Sequence, residues 1–126
     1  MAIPRLPFKA REGATAVEFA LIAPALFMTL FGAVEFGRLM WTQAALHFAV
    51  EEAARCASVT PGTCGTSDQI TAYAANAVSP LSIPSTAFTS TTPSCGHQVS
   101  ASFNYQFVVT GMFPLTPTLT AQACFP

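Results

Sequence analysis

The sequence predicts an α+β protein: a long N-terminal helix, part membrane-spanning and part amphipathic, then a small C-terminal domain of one short helix and an antiparallel β-hairpin. Three observations predict it. An apolar run of membrane-spanning length lies near the N-terminus. Helical periodicity continues beyond that run without Gly or Pro, and from Val99 onward the apolar residues alternate with period two.

The long helix comes first. From about Ala14 to Phe36 the chain is apolar apart from Thr15, Glu18, Thr29 and Glu35. At a rise of about 1.5 Å per residue, Val17 to Phe36 spans roughly 30 Å, the thickness of a bilayer core. Pro24 lies inside it and removes one backbone hydrogen bond, which membrane helices tolerate. Arg5, Lys9 and Arg11 precede the run, so the positive-inside rule puts the N-terminus in the cytoplasm, with Trp41 as an aromatic anchor at the far interface. Glu35, at the outer end, is expected to reach water or Arg38. Residues 38–58 contain no Gly or Pro, and Leu39, Leu46, Val50, Ala53, Ala54 and Ala57 recur at helical spacing. His47, Glu51 and Arg55, each four residues apart, form a polar stripe with Glu and Arg in the favourable order for pairing. Pro61-Gly62 ends the helix.

Thr66 and Gln69 fit a capping box that opens a second helix, about Ser67 to Val78, stopped by Pro80. Residues 79–94 are rich in Ser, Thr and Pro and read as a connecting loop. Val99, Ala101, Phe103, Tyr105, Phe107 and Val109 then alternate with polar residues, as do Leu119, Ala121, Ala123 and Phe125. These are two half-buried strands joined through residues 110–117. A lone hairpin is marginal in water, so it must pack on the amphipathic half of the long helix.

Composition narrows the function. Of 126 residues only 9% are charged and 52% are hydrophobic, and no Lys, Arg, Asp or Glu follows Asp68. A surface so poor in charge is sticky unless other protein covers it, so assembly is expected. The near-zero net charge argues against nucleic acid as a partner. No Gly-rich phosphate loop and no nucleophile–histidine–carboxylate set is present, so no enzyme and no cofactor is expected.

Cys56, Cys64, Cys95 and Cys124 all follow the apolar run. An even count beyond a membrane segment favours disulfides in an extracytoplasmic domain, and no C-x-x-C pair argues for zinc. Four cysteines allow three connectivities. The preferred one joins Cys56 to Cys64, closing the turn after the long helix, and Cys95 to Cys124 at the hairpin base. Facing all the odd-numbered apolar residues one way requires paired strand numbers with an even sum, which 95 and 124 do not give, so Gly96 would have to break the alternation.

The stretch "GATAVEFALIAPALF" at 13–27, with "GAVEFGRLMW" at 32–41 and "AVEEAARCA" at 49–57, resembles the TadE-like pseudopilins of bacterial tight-adherence (Flp, type IVb) pili. The resemblance implies a pilin-like arrangement: a basic leader at 1–13, a transmembrane helix at 14–37 and an extracytoplasmic domain at 38–126. It implies cleavage by a prepilin peptidase between Gly13 and Ala14, leaving Glu18 as the fifth mature residue and Phe19 beside it as the assembly determinants. In such assemblies the glutamate is thought to pair with the free N-terminal amine of a neighbour. The implied partners are the membrane, other pilins or pseudopilins, the pilus assembly machinery and the peptidase. The implied location is the bacterial inner membrane, single-pass, with passage into a surface pilus. Flp shaft pilins usually have Glu-Tyr and a very short mature chain. Glu18-Phe19 followed by a separate domain therefore points to a minor subunit. The competing reading is an uncleaved single-pass protein with a small extracytoplasmic binding domain.

Overall fold

The computed structural model describes residues 10–109, 111 and 114–126. Residues 1–9 of the expected leader lie outside the described residues. The chain divides into two units, Met1–Phe36 and Gly37–Pro126.

One helix, α1, covers Ala10–Val59 and runs through Pro24. Ala is its commonest residue, and Ala and Leu lose little in a helix. The pyrrolidine nitrogen of Pro24 cannot donate to the carbonyl four residues back. Farther along, the Thr29 hydroxyl returns a bond to the Leu26 carbonyl, 2.8 Å away. In the first unit the described residues are this helix alone, with its apolar side chains uncovered: Leu21 is 75% exposed and Phe19 71%.

The second unit is built on residues 37–59 of α1. Leu46, Ala49, Val50, Ala53 and Ala57 are buried along one face, at the three- and four-residue steps the sequence predicts. Most are alanines, so the helix can lie close to what it covers. Burying a side chain the size of Leu46 or Val50 contributes about 1.5–3 kcal/mol. The helix stops where Pro61 follows Thr60, whose N–H donates to the Cys56 carbonyl at 2.9 Å. Cys56 and Cys64 are joined by a disulfide across the turn that follows, their Cα atoms 5.7 Å apart.

The second helix, α2, covers Ser67–Ala77. Its N-terminus is the capping box expected from the sequence: the Thr66 hydroxyl accepts from the Gln69 N–H, and the Gln69 side chain accepts from the Thr66 N–H. Ile70, Ala74 and then Val78 turn into the core. Short 3-10 turns at Ser79–Leu81 and Ser85–Ala87 follow.

The sheet has three strands, not two. A strand β1, Phe88–Thr91, lies within the stretch read as a loop, and β2, His97–Asn104, and β3, Thr118–Phe125, follow. The order is β1-β2-β3, antiparallel throughout. In the β2–β3 ladder Val99 faces Ala123, Ala101 faces Ala121 and Phe103 faces Leu119. The odd-numbered Val99, Ala101, Leu119 and Ala121 are buried together in the core with the α1 stripe.

β2 also ends earlier than the alternation suggests, at Asn104 instead of Val109. Proline across the ladder accounts for it. The Tyr105 N–H still donates to the Pro117 carbonyl at 2.9 Å, but Pro117 has no N–H to return, and Pro114 has none either. Tyr105 is buried there, and the Phe107 ring meets it edge-on with centroids 5.3 Å apart.

Cys95 and Cys124 form the second disulfide, their Cα atoms 6.3 Å apart. The alternation breaks at Gly96, whose φ is +119°. That left-handed conformation turns Cys95 toward the strand end even though the ladder itself pairs Cys124 with Gln98.

Candidate assembly surfaces

Gly13, Ala14, Glu18 and Phe19 all lie on α1 and are exposed. Ala14 and Glu18 are four residues apart, hence one turn apart on the same side of the helix. Glu18 lies in an apolar helix long enough to cross a membrane, and its most apolar 18-residue window has no residue buried inside the protein. A carboxylate within such a stretch costs about 2.5–3.5 kcal/mol at the helix centre on insertion scales.

At the other end of the run the structure narrows the expectation that Glu35 reaches water or Arg38. Glu35 is only 5% exposed, so it does not reach out to water. Both Glu35 and Arg38 have interaction partners. One turn on from Arg38, Thr42 is buried, its hydroxyl donating to the Arg38 carbonyl at 2.9 Å. Trp41 is 71% exposed, as an interfacial anchor would be.

Trp41 and Phe48 stand two turns apart on α1 and wall an apolar groove of about 350 Å³, closed on the other side by Ala77, Val78, Pro80 and Leu81. A second, more polar hollow of about 450 Å³ is lined by Arg38 and Thr42 with Phe103, Asn104 and Tyr105.

The polar stripe of α1 faces the outer edge of the sheet. The Gln43 side chain bonds the His47 ring at 3.0 Å and donates to the Thr120 carbonyl of β3 at 2.8 Å. Farther along, the Ser58 hydroxyl donates to the Phe125 carbonyl at 3.2 Å. Between them Glu51, Glu52 and Arg55 line a cleft of about 390 Å³ against Gln122–Phe125. Glu51 and Arg55 are exposed and do not close into the ion pair that their spacing allows. Solvation of both ends competes well with so exposed a pair. The contact of Gln43 with Thr120 joins residues 77 apart and has no local sequence signal.

Both disulfides draw on the cysteines named from the sequence, and Cys95 is bonded rather than poised beside His97 as a ligand. His97 Nδ1 is buried without a hydrogen-bond partner among the described residues. Among the described residues no three His, Cys, Asp or Glu side chains cluster as metal binding needs.

Residues 13–55, about a third of the chain, match the family model described as TadE-like protein. The matched stretch holds Glu18, Phe19, the whole apolar run and most of the buried α1 stripe, so the resemblance read from the sequence stands over that stretch. Neither the comparison with curated proteins nor that with solved structures gives a match.

Proposed function

We propose that this chain, with its TadE-like N-terminal third, is a minor pilin or pseudopilin of a type IVb (Tad/Flp) pilus system. One coincidence carries the reading: the family match covers the exposed apolar helix that holds Glu18. The chain is anchored in the bacterial inner membrane by residues 14–37, with residues 38–126 outside the cytoplasm. The two disulfides support that side, since oxidising compartments keep them.

In this reading a prepilin peptidase cuts between Gly13 and Ala14. Cleavage frees an amine at Ala14. Within one chain that amine lies a single turn from Glu18; in an assembly it meets the Glu18 of a neighbour instead. A charge pair made among packed helices is costly to break, because the remaining ion is then buried alone, at about 3–5 kcal/mol. Glu18 thereby sets the axial stagger of the helices, and Phe19 packs beside it. The subunit builds or caps the filament and performs no chemistry.

The test is the intact mass of the chain isolated from cells that make it natively, together with its recovery in surface material sheared from those cells. A mature chain starting at Ala14 and present in the sheared fraction supports the proposal. A chain that retains Met1–Gly13 and stays with the membrane sinks it, in favour of an uncleaved single-pass anchor.

A further inference from the structure

The two edges of the sheet differ. Along β1 the helix α2 packs beside the strand. Along the free side of β3 no strand is paired among the described residues. The bond from the Tyr105 N–H to the Pro117 carbonyl sets the phase of the β2–β3 ladder. Odd-numbered residues exchange hydrogen bonds with β2, so Thr118, Thr120, Gln122 and Cys124 turn their N–H and C=O groups outward. The Thr120 carbonyl is taken by Gln43. The outward backbone groups of Gln122 and Cys124 have no partner among the described residues.

Edge strands are ordinarily protected by charge, proline, a bulge or a cover. Thr118–Phe125 reads TLTAQACF, with no charge, proline or glycine across eight residues. The nearest charges lie across the cleft on α1, where Glu51, Glu52 and Arg55 face Gln122–Phe125. Among the described residues none of these three side chains is spent on a hydrogen bond or ion pair. The spacing also fits a strand. Positions four apart on a helix are about 6 Å apart along its axis, and alternate residues of a strand about 6.6–6.8 Å. A strand laid beside β3 would thus meet His47, Glu51 and Arg55 in turn with successive side chains of one face.

We propose that the free edge of β3 is a strand-addition site: it takes an extended segment of a partner protein whose backbone bonds Gln122 and Cys124 and whose basic side chains sit against Glu51 and Glu52. Two acids against one base give this flank a negative balance, which selects a basic segment. The β3 of a second copy is a poor occupant, because it and everything after Asp68 lack a Lys or Arg to offer. The site is independent of the pilus reading.

The experiment uses the full chain in nanodiscs, with hydrogen exchange read at the Gln122 and Cys124 amides. Two ten-residue probes are compared, one alternating Lys and Thr, the other Glu and Thr. The lysine peptide should slow exchange at both amides at least tenfold, and the glutamate peptide should not. Glu51→Lys with Glu52→Lys should reverse that preference. Gln122→Pro removes an outward N–H but no β2–β3 bond, so it should abolish the protection of the Cys124 amide while the amides of Val99 and Ala101 stay protected. No protection by either peptide, or equal protection by both, overturns the proposal. Protection that rises with protein concentration alone would also overturn it, since the occupant would then be a second copy.

Discussion

Gly96 sits so close to the Phe125 carbonyl that a β-carbon at residue 96 has no room. The same residue holds φ at +119°, where L side chains are strained. Both constraints fall beside the disulfide in which Cys95 reaches Cys124 from outside the ladder phase. Gly96→Ala therefore has to move the end of β3 or break the turn. The expected cost is about 2 kcal/mol or more, combining backbone strain with overpacking. Thermal unfolding of the purified chain in detergent measures it, and an unchanged midpoint would show that the strand end shifts freely.

The two disulfides should not be equal. Cys56–Cys64 closes a separation of 8 residues and Cys95–Cys124 one of 29. Chain entropy assigns about 2.5 kcal/mol to a loop of the first size and about 3.5 kcal/mol to one of the second. Replacing Cys95 and Cys124 together by Ala should thus lower the denaturant midpoint more than replacing Cys56 and Cys64. Cys64 is 1% exposed, so its loss also opens a small gap in the core, which narrows the difference. A reversed order would mean that packing around Cys64 outweighs loop closure.

The apolar side chains of α1 fall into two kinds with opposite expectations. Leu46 is fully buried and Leu21 is 75% exposed. Leu46→Ala should destabilise the second unit by about 2–5 kcal/mol, read as faster proteolysis between residues 37 and 126. Leu21→Ala should leave that proteolysis unchanged and slightly weaken partitioning into the membrane. Equal effects of the two changes on the second unit would contradict the core described here.

Much of this fold can be read from local pattern, and what cannot is carried by the backbone. The buried face of α1, the Thr66–Gln69 box and the phase of β2 and β3 each rest on side chains repeating at a fixed period, so the sequence displays them. β1 does not. Its four residues Phe88–Thr91 offer one apolar side chain between Pro84 and Pro93, and the strand exists because its main chain pairs with Gln98–Ala101. Alternation likewise continues through Val109, yet the ladder ends at Asn104, because the prolines opposite decide it. On the candidate surfaces, the cysteines and the exposed positions Glu18 and Phe19 were identifiable by type and spacing. The burial of Glu35 was not, since its place at the end of an apolar run suits a solvated glutamate equally well. Nor was the open edge of β3, which depends on hydrogen-bond phase and on how the helices flank the sheet.

The final prediction concerns Glu18. Under the proposed pairing its carboxylate answers the Ala14 amine of a neighbour, so the group that matters is the charge and not the bulk. Glu18→Gln keeps the shape and removes the charge. Insertion should be unaffected or improved, because an ion leaves the apolar stretch. Assembly should still fail, because the neighbour's ammonium is left buried without a counter-ion, at a cost of several kcal/mol. Glu35 is unsuitable as the control, because it is buried and its replacement would leave a gap for reasons unrelated to assembly. Glu18→Asp serves better, since it keeps the charge and shortens its reach, and should retain partial assembly. Membrane fractionation reads insertion, intact mass confirms the start of the mature chain, and the sheared surface fraction reads assembly. Full assembly of Glu18→Gln, with cleavage confirmed, would reduce Glu18 to a residue that reaches for the headgroups and remove the stagger mechanism.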